Sequence, residues 1–197
     1  MATVSTLGMP YQVLMPAMAS DVFGGGANTL GLLMTSAGIG ALAGTLYLAS
    51  RRTVVGLGRR IAQATMVFGA ALVAFAWSRN LWLSLLILPV SGAGFMIALA
   101  ATNTIVQTVV PEDLRGRVMA FYTMAFLGTA PIGSLVAGFA AERIGAPATI
   151  AVGGAACFAG GVWFWLTIPQ LRELVRPIYI ERGILPVPDI DAGGKTL

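Results

Sequence analysis

The sequence predicts an all-α membrane protein with six transmembrane helices and both termini in the cytoplasm. Three observations lead there. First, the stretches 1–20, 22–50, 61–78, 80–111, 118–141 and 144–171 contain no charged residue. Each is close to, or longer than, the ~20 apolar residues that cross a ~30 Å hydrocarbon core. Second, charged residues make up 10% of the chain, against about 25% in soluble domains, so a water-exposed surface of ordinary polarity cannot be built. Third, Lys and Arg alternate in density from one connection to the next. Ten of them (Arg51, Arg52, Arg59, Arg60, Arg115, Arg117, Arg172, Arg176, Arg182 and Lys195) fall on one set of connections, and only Arg79 and Arg143 on the other. The positive-inside rule assigns the rich set, and with it both termini, to the cytoplasm. The net charge of +4 is therefore a topology signal, not a nucleic-acid footprint.

The elements follow in order. The first helix is expected over 3–20, with Pro10 and Pro16 inside it; Gly24, Gly25, Gly26 and Asn28 make the outer turn. The second, 29–50, stops at Arg51 and Arg52. The third, 61–78, ends at a short turn, Ser78–Arg79–Asn80, flanked by Trp77 and Trp82, whose indoles suit the headgroup level. The fourth, 81–109, contains Pro89 and outruns the bilayer, so it must tilt or protrude. The fifth is expected over 118–140 with Pro131 inside. The sixth, 147–168, opens on Pro147, where the missing N–H costs nothing, and carries Trp163 and Trp165 at its cytoplasmic end. Residues 1–168 form the membrane domain and 169–197 a cytoplasmic tail. In that tail Leu171–Arg176 reads as a short surface helix, and Pro186–Leu197 as disordered. The first span starts almost at Met1 with no basic leader, so no signal peptide is expected; the abrupt start leads to the expectation of a piece of something longer.

Twenty-five glycines suit close contact between membrane helices. Gly40-x3-Gly44 in the second span and Ser134-x3-Gly138 in the fifth each lie on one helix face. Either they are ordinary small-residue packing, or their matched positions mark a 3+3 inverted repeat. The Thr129–Ser134 stretch, with Pro131 and Gly133, is either a static kink or a bend that gates. Glu112, Asp113, Arg115 and Arg117 face the arginine-rich loop of Arg51, Arg52, Arg59 and Arg60. These loops either form ion pairs in one conformational state and break them in another, or hold solvated charges only.

No Asp, Glu, Lys, Arg or His lies deep in a span. Such a group would be the default functional residue of a membrane protein, so proton coupling through a carboxylate is not expected in this part. Without His, and with a single cysteine, Cys157, set among Ala and Gly, no general base, nucleophile or metal site is expected within the membrane. The chain is expected not to be an enzyme and to need neither cofactor nor metal.

Val110–Pro111–Glu112–Asp113–Leu114–Arg115–Gly116–Arg117–Val118–Met119, with the Gly/Pro-rich fifth span behind it, resembles the C-terminal half of a major facilitator superfamily transporter. The closest likeness is to the bacterial drug and siderophore exporters. The loop from Gly44 through Arg51 and Arg52 to Gly58–Arg59–Arg60 resembles the degenerate second copy of that superfamily's signature loop. Ala49 and Ser50 stand where its aspartate belongs, so the usual charge relay is not carried over. The fifth span is similar to the Gly–Pro motif of antiporter-type members. The resemblance implies six helices of a twelve-helix, multi-pass plasma-membrane exporter, working by alternating access on small amphipathic molecules. The implied partners are the lipid bilayer, an N-terminal six-helix half (or a second copy of this one), a small-molecule substrate and no nucleic acid. In the family, the first and fourth helices of each half line the central cavity. That implies Tyr11 and Gln12, and Asn103 and Gln107, as cavity residues, with Ser36 and Thr129 as weaker candidates; the alternatives are helix–helix hydrogen bonding for Tyr11 and Gln12, solvation at the cytoplasmic mouth for Asn103 and Gln107, and back-bonding within their own helices for Ser36 and Thr129. A non-transporting membrane assembly protein is the remaining alternative.

Overall fold

The computed structural model describes the backbone of residues 4–51 and 56–181, and side chains as far as Leu171. It is helical throughout: a π-helical turn Val4–Gly8, α1 Tyr11–Ala17, a second π-helical turn Met18–Val22, α2 Ala27–Ala49, α3 Leu57–Trp77, α4 Leu81–Val109, α5 Glu112–Ile144 and α6 Ala146–Glu181. No strand occurs among the described residues. Five helices, α2 to α6, are long and apolar enough to cross a membrane. Arg52 and the tail 182–197 lie outside the described residues.

The first expected span departs from a regular helix. Pro10 and Pro16 each remove a donor and push against the carbonyl four residues back. The chain absorbs them by widening. Met9 N–H reaches back five residues to Val4 O at 2.8 Å, and Phe23 N–H does the same to Met18 O at 3.2 Å. π-bulges of this kind are a common way for a helix to accommodate an irregularity. Gly24, left-handed at φ +61°, then ends the segment. The N–H groups of Gly24 and Gly25 close onto the carbonyls of Ser20 and Ala19, satisfying acceptors that a helix end leaves open.

The other boundaries have local causes. Asn80 caps α4, its side-chain oxygen accepting from Trp82 N–H at 2.9 Å, as an N-cap should. Pro111 precedes α5, with Glu112 and Asp113 in its first turn and Arg143 in its last, each charge matched to the helix dipole. Gly145, at φ +85°, separates α5 from α6. The sixth helix, expected to end at 168, runs on to Glu181. At 1.5 Å per residue, α5 and α6 are each about 50 Å long, so both extend well past a ~30 Å core.

Two apolar clusters show which ends lie together. Leu57, Ile61 and Ala101 pack with Leu48, Ile105 and Phe164. The α2–α3 connection, the end of α4 and the Trp163–Trp165 part of α6 therefore share one end of the bundle. Phe75, Ala76 and Ala146 belong to a larger cluster that also takes in Val22, Phe23, Leu30 and Leu81, marking the opposite end. Successive helices thus run antiparallel, and the arginine-rich connections fall on one side.

α3 packs on α6 and on α4, α4 packs on α2, and the first segment packs on α5 and α6. Phe68, Leu72, Phe75, Met15, Met18 and Leu88 are fully buried between these helices. Small residues set the spacing. A Cβ on Gly40 would lie 1.9 Å from the Pro89 carbonyl oxygen, and one on Gly44 2.7 Å from that of Ala93. In the fifth span the close approach falls one residue earlier than the Ser134-x3-Gly138 reading. Gly133 and Ala137 are the buried pair, and a Cβ on Gly133 would lie 2.2 Å from Thr6 O, whereas Gly138 has open space. Gly40→Ala is expected to destabilise the purified protein by about 1–3 kcal/mol, as overpacking does, while Gly138→Ala is expected to leave it unchanged. Thermal unfolding midpoints of the two variants in one detergent check both.

Candidate functional site

Among the described residues no Asp, Glu, Lys, Arg or His sits at the centre of the bundle, so its chemistry rests mainly on backbone carbonyls and hydroxyls. Pro89 has no N–H to offer Leu85 O, and in hydrocarbon an unmatched carbonyl is costly. Ser36 from α2 supplies the donor, its Oγ giving a 2.6 Å hydrogen bond to Leu85 O. Four residues on, Gly40 lies against Pro89. A proline, a carbonyl, a hydroxyl and a glycine thus form one junction between α4 and α2.

The first segment and α5 build a second junction with a proline, a glycine and hydroxyls, but there the hydroxyls bond Phe126 O and not the carbonyl the proline frees. Pro10 withdraws the N–H that would meet Thr6 O, and that carbonyl faces Gly133. Ser5 Oγ donates to Phe126 O at 2.5 Å and lies 2.9 Å from Thr129 Oγ1. The two junctions are in register. Gly40 and Gly133, and Ser36 and Thr129, are the same distance apart (133 − 40 = 129 − 36 = 93). Pro10 and Pro89, and Thr6 and Leu85, share a second offset (89 − 10 = 85 − 6 = 79). Ser36 and Thr129, expected as cavity candidates, are thus engaged in helix–helix contacts.

Tyr11 is buried, with Phe68 edge-on at 6.1 Å between ring centroids. On α4, Ser91 Oγ is buried with no hydrogen bond. Gln12, with Val13 and Pro16, is exposed on the outer face of α1. On α4, Gln107 Nε2 donates to Asn103 Oδ1 at 3.2 Å. That pair lies near the arginine-rich end.

Among the charged loops, Glu112 and Arg115 approach to 3.6 Å within the first turn of α5. Among the described residues no ion pair joins the two arginine-bearing loops. Asp113, Arg117 and Arg59 are exposed. Arg51 and Arg60 converge instead on Tyr47. Both donate to its hydroxyl, and their guanidinium carbons lie 4.9 and 5.6 Å from its ring centroid. Pro131 is exposed within an unbroken α5, while Gly133 is locked against the first segment.

Ser5, Ser91 and Tyr47 were not among the residues the sequence singled out. Tyr47 had a signal, in its i, i+4 spacing to Arg51. Ser5, whose partner Phe126 O lies far along the chain, and Ser91 had none. Ser36→Ala strands Leu85 O and is expected to lose about 1 kcal/mol of stability, whereas Ser36→Thr retains the hydroxyl. Chemical or thermal unfolding of the two variants in micelles distinguishes them.

A family model described as transmembrane secretion effector matches residues 6–177. No curated protein and no solved structure matches the chain.

Proposed function

This chain belongs to the transmembrane secretion effector family of major-facilitator-like transporters, and we propose that it forms one six-helix half, the C-terminal one, of an exporter of small amphipathic compounds. The observation that carries this reading is the pair of registered junctions. A 3+3 inverted repeat exchanges the first helix with the fourth, the second with the fifth and the third with the sixth. The contacts of α4 with α2 then map onto those of the first segment with α5. The contacts of α4 with α3 map onto those of the first segment with α6. The α3–α6 contact maps onto itself. Pro10 matches Pro89 and Gly133 matches Gly40.

On this reading both termini are cytoplasmic, in a bacterial-type plasma membrane, and the substrate path runs along the first and fourth helices. Gln12 offers an amide from the exposed face of α1, and Asn103 and Gln107 offer a second polar point near the cytoplasmic mouth. The chain itself contributes binding and motion but no covalent chemistry. The second six-helix unit lies against α5, whose exposed side carries Phe121, Met124, Leu127, Leu135, Val136 and Phe139 along its length. A second copy of this chain is the alternative occupant, since the same apolar face serves either.

Dye efflux from vesicles containing the assembled transporter tests this. Gln12→Ala is expected to lower efflux of its substrates about fivefold, the equivalent of one hydrogen bond of ~1 kcal/mol. Unchanged transport of every substrate would remove Gln12 from the path. An assembly that moves no amphipathic dye under any imposed ion gradient would overturn the exporter reading itself.

A further inference from the structure

A groove of about 500 Å³ runs between α2 and α3 with α4 as its floor. Ile39 and Ala43 form one wall, Val67 part of the other, and Val90 and Ile97 line the base. The groove exists because Gly40 lets α2 close onto α4 at Pro89. Its polar side chains gather toward one end, where Tyr47, Arg60 and Gln63 line it. From Ile39 to Tyr47 is eight residues of helix, or about 12 Å at 1.5 Å per residue. One leaflet of a ~30 Å hydrocarbon core is about 15 Å deep. The groove therefore has the length of a single leaflet, with its polar end at the level of the headgroups.

That end holds two positive charges close together. Arg51 and Arg60 both bond the Tyr47 hydroxyl and both stack on its ring. Among the described residues no carboxylate forms an ion pair with either. A phenol orients the two guanidiniums but does not neutralise them, and Arg59 adds a third cation from the adjacent position on α3. Guanidinium groups match phosphate oxygens in geometry. We propose that this groove is a binding site for an anionic phospholipid, one acyl chain lying between α2 and α3 and the phosphate held by Arg51 and Arg60. Gln63 stands at the depth of the glycerol esters and can donate to an ester carbonyl. The inference needs only that the chain spans a bilayer and is independent of transport.

The test uses the purified full chain in vesicles of nine parts phosphatidylcholine to one part phosphatidylglycerol. A photoreactive diazirine is placed near the acyl terminus of either lipid. After irradiation, the labelled peptides are mapped by mass spectrometry. Phosphatidylglycerol adducts are expected to concentrate on α2 and α3 at Ile39, Ala43 and Val67, several-fold above those from labelled phosphatidylcholine. Arg60→Gln is expected to cut that preference about fivefold, the effect of about one interfacial cation, while Arg60→Lys keeps most of it. Ala43→Trp, which fills the groove from an exposed position, is expected to abolish the adducts. Equal labelling by the two lipids, adducts confined to other helices, or a preference unmoved by Arg60→Gln would overturn the proposal. The ratio of the two lipids on the wild-type protein decides the matter even if a variant fails to fold. Absence of any groove labelling, as when a protein helix or a substrate fills it, also overturns it.

Discussion

Inside a bilayer every backbone carbonyl must find a donor within the protein, and Pro89 violates that rule at Leu85. The rest of the architecture follows from how the violation is repaired. A hydroxyl must come from a neighbouring helix, and it reaches a main-chain oxygen only if the two backbones approach closely. Close approach in turn requires a residue with no side chain facing the partner. Ser36, Leu85, Pro89 and Gly40 are therefore one device, and removing any of them affects the other three. Hydrocarbon supplies little force to bring helices together, so contacts of this kind carry the helix pairing.

A related contact joins the first segment to α5, where Gly133 meets Thr6 O and Ser5 donates to Phe126 O. The first segment also carries two π-helical turns that α4 lacks. The difference is local. α4 holds one proline in 29 residues and stays regular. The first segment holds Pro10 and Pro16 within one short stretch and must widen twice. One of these two proline-bearing segments thus stays regular and the other is distorted, and the distorted one presents Gln12.

The helical class, the approximate bounds of α2 to α4 and the one-sided arginines were legible in the sequence, because charge-free length and Lys/Arg placement are strong signals. Gly40 and Gly44 were legible as a packing face because small residues four apart share one side of a helix. The fifth span was misregistered by one residue. Ser134 and Gly138 form as good a small-residue pair as Gly133 and Ala137, and only the position of Thr6 O decides between them. The broken first helix was foreshadowed by its prolines, but their resolution as π-turns depends on which carbonyls have room to be reached five residues later. The approach of Arg51 to Tyr47 follows an i, i+4 spacing, but that of Arg60 crosses a loop, and no local pattern in the sequence announces it.

α5 is anchored along a narrow line: Gly133 and Ala137 are its buried residues, while most of its apolar length faces outward. A substitution at Gly133 must satisfy the fold of this chain. A substitution at Leu135 or Met124, both largely exposed, meets little within it. Selection on those outward positions is therefore set from outside, by whatever surface rests there. If that surface is lipid, any apolar side chain serves and the positions drift freely. If it is another protein, they change in step with residues on the other molecule. Across related chains, the pattern of variation along this one helix thus records the character of its neighbour, much as a worn key records its lock.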